Sequence, residues 1–178
     1  NSASSPLFLS RNSDYVIPVF KSCFIRPGTS CAGDKLGEAN LSGANLSDMD
    51  FTGANLQRAR LVGATLNNTN FTDAFLKGAV FSGATGANTQ LGARSLADAN
   101  FSRVRLENPK ATGTSFLRSN WTKAYVEKGD FSSSNFYKSN FEGATIKNTD
   151  MRATKLRGAS WKGATVSGSD FRGAVGNT

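Results

Sequence analysis

The sequence predicts a repeat fold in which the chain turns a corner every five residues, and two periodic features predict it. From Leu36 onward every fifth residue is large and apolar: Leu36, Leu41, Leu46, Phe51, Leu56, Leu61, Leu66, Phe71, Leu76 and Phe81, then after a break Phe131, Phe136, Phe141, Ile146, Met151, Leu156, Trp161, Val166 and Phe171. Of the 28 such positions between 36 and 171, only Gly86 and Ala111 lack a large side chain. Two residues before these centres the side chain is small, as at Ala39, Ala44, Ala54, Ala59, Ala64, Ser134, Ser139, Ala144 and Ala164. A helix repeats at about 3.6 residues and a strand at about two, so neither gives a strict five. A recurring corner does, with one large and one small side chain per side turned inward and the polar remainder outward.

Composition narrows the function before any site is sought. The 178 residues include no His and two Cys, with 21 basic against 13 acidic side chains and a formal charge of +8. That length fits one ordinary domain. The commonest general base and neutral metal ligand is missing, and two cysteines cannot complete a four-ligand zinc site unaided. No apolar run approaches the roughly 20 residues that a membrane-spanning helix needs.

The units Ala39-Asn40-Leu41-Ser42-Gly43 and Ala44-Asn45-Leu46-Ser47-Asp48 resemble the pentapeptide repeat family, and the resemblance extends over about 140 residues. It implies an all-β fold, a right-handed quadrilateral β-helix with four repeats to a coil and the centre and small residues inside. Twenty-eight repeats then make about seven coils, and at about 4.8 Å per paired strand the rod is roughly 30 to 35 Å long. A rod of this kind is held by neighbour contacts and needs protected ends.

Residues 34–178 are expected to form the β-helix and residues 1–33 an N-terminal cap. The cap contains the apolar cluster Tyr15, Val16, Ile17, Val19 and Phe20, where Pro18 argues against an uninterrupted helix. Cys23 and Cys31 bracket Pro27-Gly28, a turn signal that brings two thiols within bonding range. A disulfide closing this loop is the expected state, against two reduced buried thiols. Short Cys-bracketed turns ahead of the array are similar to those of exported family members. Export to an oxidising compartment follows, whether a thylakoid lumen, a periplasm or the extracellular space.

Two irregularities carry their own expectations. The repeat runs through Phe171 with no amphipathic helix after it, so an open last rung is expected. A partner or a second copy in a homodimer would cover such an edge, unless a polar end at Asn177 and Thr178 shields it. Between 86 and 111 the pattern weakens, with Arg94, Val104 and Pro109 at sites meant for small residues. An inward Arg94 would be an unpaired buried charge, so the wall is expected to bulge outward there.

Four repeats per coil place residues twenty apart above one another, so each side reads as columns. The side centred on Leu36, Leu56, Leu76, Leu96, Phe116, Phe136 and Leu156 projects Arg58, Lys77, Arg118, Lys138, Lys155 and Arg157 together with Phe75, Leu117 and Tyr137. Such a basic, partly apolar face suits an anionic or protein surface; the competing reading is a solvated face with scattered hydrophobics. Charge is also uneven along the rod, with five basic and six acidic groups in 34–100 against 13 and six in 101–178.

Another column stacks Asp50, Asn70, Gln90, Lys110, Asp130, Asp150 and Asp170. Three successive carboxylates about 4.8 Å apart would repel, raising some pKa values or attracting a divalent cation such as calcium. A hydrolytic carboxylate pair has a similar spacing, but Arg152 and Arg172 stand beside these groups and can neutralise them. Asn100, Asn120 and Asn140 are expected to stack as an amide ladder. The Asn-X-Ser/Thr motifs at Asn40, Asn45, Asn70, Asn100 and Asn120 match glycosylation acceptors, yet the repeat generates them by itself.

The function these features predict is a non-enzymatic structural or interaction module, a rigid exported rod docking on a larger protein assembly, photosynthetic only by family analogy. No catalytic residue, cofactor or metal is expected, because nucleophile, base and cleft all lack candidates. The family's topoisomerase protectors imitate DNA with an acidic surface, and a charge of +8 has the wrong sign. The alternative is a nucleic acid or other anionic surface held by the basic C-terminal half, with steep salt dependence. No base-reading element or row of stacking aromatics accompanies it, so no specific nucleic acid is expected. Membrane contact would be peripheral at most.

Overall fold

The computed structural model describes residues 7–10, 16–19 and 23–176, and its organising element is the corner. Among them, positive φ recurs at every fifth residue from Gly28 to Gly173 and is missing only at Ala93. Glycines such as Gly43 (φ 71°) take this conformation freely, whereas Asp48 (60°), Asn68 (53°), Arg118 (54°) and Ala153 (55°) enter it as L-residues. A bulky side chain there costs roughly 1–2 kcal/mol. The amide after the corner donates to the centre residue's carbonyl, as Ala59 N–H does to Leu56 O at 3.0 Å and Ala74 N–H to Phe71 O at 3.0 Å. A corner closed this way is a four-residue turn with positive φ at its third residue, the mark of type II; at Asn88, Asn108, Lys128 and Asn148 the closing bond is missing, since Pro109 has no N–H and the amides of Gly129 and Thr149 donate to Thr149 Oγ1 at 3.2 Å and Ser169 Oγ at 3.1 Å.

Between corners the backbone pairs with the next coil, always twenty residues on. Parallel bridges link Ser30 to Asp50, Asp50 to Asn70, Asn70 to Gln90, Gln90 to Lys110, Lys110 to Asp130, Asp130 to Asp150 and Asp150 to Asp170. One side is extended enough to form true strands. A separate antiparallel pair, β1 (Leu7–Ser10) and β2 (Val16–Val19), comes first. Then β3 (Thr85–Ala87), β4 (Arg105–Glu107), β5 (Tyr125–Glu127), β6 (Thr145–Lys147) and β7 (Thr165–Ser167) stack in that order. They form a parallel sheet stepping over four turns, with Thr85 opposite Arg105 and Thr145 opposite Thr165. Elsewhere most corners keep their hydrogen-bonded turn, and only single bridge residues pair. No described residue is helical, and the fold is an all-β parallel solenoid.

The inward centres make the core. Phe81, Phe101, Trp121, Phe141 and Trp161 form one column of near-parallel rings, with successive centroids 4.7, 4.3, 6.1 and 4.2 Å apart. Rings stacked this way add to the stabilisation from their burial. At most small sites taken by Ser or Thr the hydroxyl donates to a carbonyl, as Thr69 does to Leu46 O and Ser139 to Phe116 O, both at 2.8 Å, while Ser119 Oγ bonds to Ser139 Oγ at 3.0 Å. Trp121 Nε1 donates to Ser119 Oγ at 2.8 Å. Among the described residues no buried side-chain polar atom lacks a partner, so the polar positions carry no desolvation penalty.

The irregular stretch is accommodated in three ways. At 91–95 the corner is lost, Ala93 takes the inward place and Arg94 stands exposed, which is the expected outward bulge. The Arg94 guanidinium lies 5.2 Å from the centre of the Phe75 ring. Val104 and Pro109 are simply buried. Gly86 is no gap: a Cβ there would meet Thr89 Oγ1 at 2.6 Å and Leu66 Cβ at 2.9 Å.

Cys23 and Cys31 are joined in a disulfide, and with Ile25 they extend the core at its proximal end. Of the apolar cluster assigned to the cap, Tyr15, Phe20 and the side chains of Val16, Ile17 and Val19 lie outside the described residues, as do Asn177 and Thr178. In the last described coil Leu156, Trp161 and Phe171 are half-buried and Val166 is exposed.

Two substitutions with opposite expected signs test this backbone. Gly86→Ala should lower stability by about 1–3 kcal/mol through overpacking. Ala153→Gly should raise it by up to about 1 kcal/mol by relieving a left-handed alanine. Thermal unfolding of both variants beside the parent checks the pair.

Candidate partner-binding face

The residues just before and just after each centre point outward, so a side of the rod carries two columns separated by buried centres. On the side centred on Phe116, Phe136 and Leu156, one column runs Leu117, Tyr137, Arg157 and the other Asn135, Lys155, Val175, the latter joined by coil-to-coil bridges. Together these six line a surface groove of about 450 Å³. Leu117, Tyr137, Lys155 and Arg157 belong to the face read from sequence, and the structure brings them to one place. Asn135 and Val175 were missed there, although both stand in the column that contains Phe75 and Lys155.

Ion pairing divides the rest of the predicted face. Arg58 Nη2 meets Glu38 Oε1 at 2.7 Å. Arg118 holds Asp98 with two bonds, Nε to Oδ1 at 2.8 Å and Nη2 to Oδ2 at 3.1 Å. The Arg118 guanidinium keeps the Asp98 carboxyl below the usual carboxylate range, and the aspartate raises Arg118 in return. Both arginines are thus neutralised by the coil before them. By contrast, Lys77, Lys138, Lys155 and Arg157 make no ion pair among the described residues. Lys138 Nζ lies 5.3 Å from the centre of the Tyr137 ring, within cation–π range. Phe75 is packed under Arg94 and does not line the groove.

A second depression of about 300 Å³ lies on the strand side, around Arg105, Glu107, Tyr125 and Glu127. Here the tyrosine's polar capacity is taken up locally. The Tyr125 hydroxyl donates to Glu127 Oε2 at 2.8 Å, which pushes its pKa up. Its ring has Arg105 Cζ at 4.5 Å and Lys147 Nζ at 5.8 Å.

In the aspartate column the neutralisation expected from Arg152 and Arg172 prevails over the repulsion that would raise pKa values. Arg152 Nη2 sits 2.6 Å from Asp150 Oδ2 and Arg172 Nη2 2.6 Å from Asp170 Oδ2. These hydrogen bonds pull Asp150 below its ordinary value and Asp170 down to about 2. At Asp130 burial acts upward, but bonds from the Ser132 hydroxyl and amide outweigh it and the net direction is again down. Charge assistance from a neighbour two residues on overrides repulsion one coil away. Among the described residues the grouping of metal-type ligands is Cys23, Cys31 and Asp34, and its sulfurs are bonded to each other.

The expected amide ladder is also corrected. Asn100, Asn120 and Asn140 each accept from the amide two residues on, Ser102 at 2.9 Å, Thr122 at 2.9 Å and Glu142 at 2.8 Å, so each braces its own turn. The ladder exists at the corners instead, where Asn108 Nδ2 donates to Asn88 Oδ1 at 2.6 Å, Asn88 to Asn68 at 3.3 Å and Asn68 to Asp48 at 3.1 Å.

A polar-walled parallel solenoid with a twenty-residue coil and an apolar ladder inside defines the class of the protein. The family described as pentapeptide repeats matches it in eight copies over residues 35–68, 66–92, 99–136 and 122–152, and the chain belongs to that family. No curated protein matches it. Among solved structures it is similar to HetL, a pentapeptide repeat protein involved in heterocyst differentiation regulation from Nostoc sp. strain PCC 7120, at 23% identity and TM-score 0.33, over 82% of this chain and 76% of that one. It is similar to full-length QnrB1, a plasmid-mediated fluoroquinolone resistance protein, at 17% identity and TM-score 0.40, over 86% and 93%. It also resembles a pentapeptide repeat protein of the Arabidopsis thaliana thylakoid lumen, at 23% identity and TM-score 0.38, over 72% and 71%.

The depressed carboxylates give a pH dependence with a defined sign. Their folded values lie below the ordinary 3.8, so the stability they contribute is present above about pH 4 and is lost as pH falls through the folded values, toward about 2 at Asp170. Melting temperature should therefore drop between about pH 4 and pH 2, and Asp150→Asn with Asp170→Asn should flatten that drop.

Proposed function

We propose that this chain is a non-enzymatic docking module, a rigid exported rod that binds a larger protein assembly through the groove on its distal half. The observation that carries this reading is the concentration of unpaired cations, Lys138, Lys155 and Arg157, around the half-buried Leu117 and Tyr137 and the exposed Val175. Repeat geometry does not require it: Lys138 occupies a left-handed corner (φ 55°) where glycine would be less strained. Two columns on one rigid wall hold these groups at fixed spacing, which favours a partner that meets them together.

Nucleic acid is the weaker reading. Among the described residues lining the groove Tyr137 is the one aromatic, whereas a bound single strand needs successive aromatic platforms for its bases. The compartment assignment rests on the disulfide between Cys23 and Cys31, since such bonds persist where the environment is oxidising. Coil-to-coil pairing already begins at the Gly28 corner and the Ser30–Asp50 bridge, so the capping role expected of residues 1–33 falls to the part of that segment ahead of them.

Affinity purification of the chain from its source at moderate salt, with mass spectrometry of what co-purifies, tests the docking role. A protein assembly should be recovered in stoichiometric amount with the parent and lost with Lys155→Glu plus Arg157→Glu, while melting temperature stays within about 1 °C because both groups are exposed and unpaired. Equal recovery with both proteins removes this face. Thiol titration of the same purified protein should find no free thiol, and reduction should destabilise it by about 2.5 kcal/mol for a loop of eight residues.

A further inference from the structure

We propose that the groove takes an extended acidic peptide segment with one apolar side chain, an inference that rests on the docking reading and names the chemistry of the partner. The floor and walls supply three apolar contributions, Leu117, the Tyr137 ring and Val175, the last 62% exposed. None of the groove's lining residues is acidic. Lys155 and Arg157 rise from the two columns on either side of Leu156, on one rung, so their roots stand about 6–7 Å apart. A chain lying in the groove has a cation within reach on each side and an apolar surface beneath it.

The dimensions favour a segment of a macromolecule over a small ligand. The groove is open to solvent and crosses the rungs of Leu117, Tyr137 and Arg157, about 10 Å along the rod at about 4.8 Å per coil. Three extended residues span that length at about 3.3 Å each. Small-molecule sites, by comparison, enclose most of their ligand. The lower boundary is set by ion pairs: one coil below Tyr137, Arg118 is held by Asp98. Beyond that point an acidic segment would have to displace a carboxylate already in place. Above it, Lys138, Lys155 and Arg157 have no competitor among the described residues. The excess of 13 basic over six acidic groups in residues 101–178 guides an acidic partner to this half.

The test measures fluorescence anisotropy on the whole chain with a labelled ten-residue peptide of Asp and Glu around a central Leu. The control probe has Ser in place of the Leu. Phosphatidylglycerol vesicles and a single-stranded oligonucleotide are run beside them. Saturable binding of the Leu probe is expected, weakening several-fold with the Ser probe and with Tyr137→Ala, roughly tenfold with Lys155→Glu plus Arg157→Glu, and steadily as salt is raised. Equal binding of the two probes overturns the proposal, because it reduces the site to a general anion attractor. Tighter binding of vesicles or oligonucleotide overturns it in favour of those surfaces. Failure of every probe, with the native assembly still captured by the parent and lost in the double variant, rejects the acidic segment and leaves the docking face standing. Failure of every probe with capture unchanged in the variant rejects both.

Discussion

The left-handed corner at every fifth residue decides where every other side chain goes. Because the corner is a four-residue turn, the residue before it must point inward and the residues flanking that centre must point outward. Because four corners close a coil, every outward position repeats twenty residues later and pairs with its copy. Remove one corner and the pattern fails locally, as at Ala93, where the inward place passes to a different residue and Arg94 is pushed out. The interior then follows from packing: rings stack on rings, and hydroxyls at small sites add a second hydrogen bond to a centre carbonyl that already closes a turn, as Ser139 does at Phe116 O.

The same constraint makes the surface a set of columns, and charge pairs form up and down these columns as well as along the chain. Arg58 finds Glu38 and Arg118 finds Asp98, each twenty residues earlier. Arg152 and Arg172 instead turn back on the aspartates two residues before them. Exposed pairs of this kind add little stability individually. Their consequence is to mark out what is left over: a distal groove with cations on its walls and no acidic side chain in its lining.

Much of this was legible in the sequence because a strict period of five admits one geometry. The core, the outward bulge at Arg94 and the gathering of Leu117, Tyr137, Lys155 and Arg157 were all readable from column arithmetic. The resemblance to a known family supplied the four-sided coil. What escaped was pairing between columns and within turns. Period alone cannot say that Asn100 prefers the amide of Ser102 to its neighbour in the stack, nor that the true ladder runs through Asn68, Asn88 and Asn108. Arg152 and Arg172 were readable as neutralising neighbours of the aspartates, but only the geometry says that a guanidinium in direct contact outweighs a carboxylate one coil away. Val175 and Asn135 could have been found by reading the Lys155 column in both directions.

Position-specific photo-cross-linking in the native source probes the distal groove directly. A photoreactive residue in place of Tyr137 should attach the rod to one protein of the assembly, through an acidic stretch of that protein. The same residue in place of Ser47, on another side of the coil, should attach to nothing reproducibly. Cross-links of equal yield and identity from both positions would contradict a dedicated face and leave the chain a uniformly solvated rod.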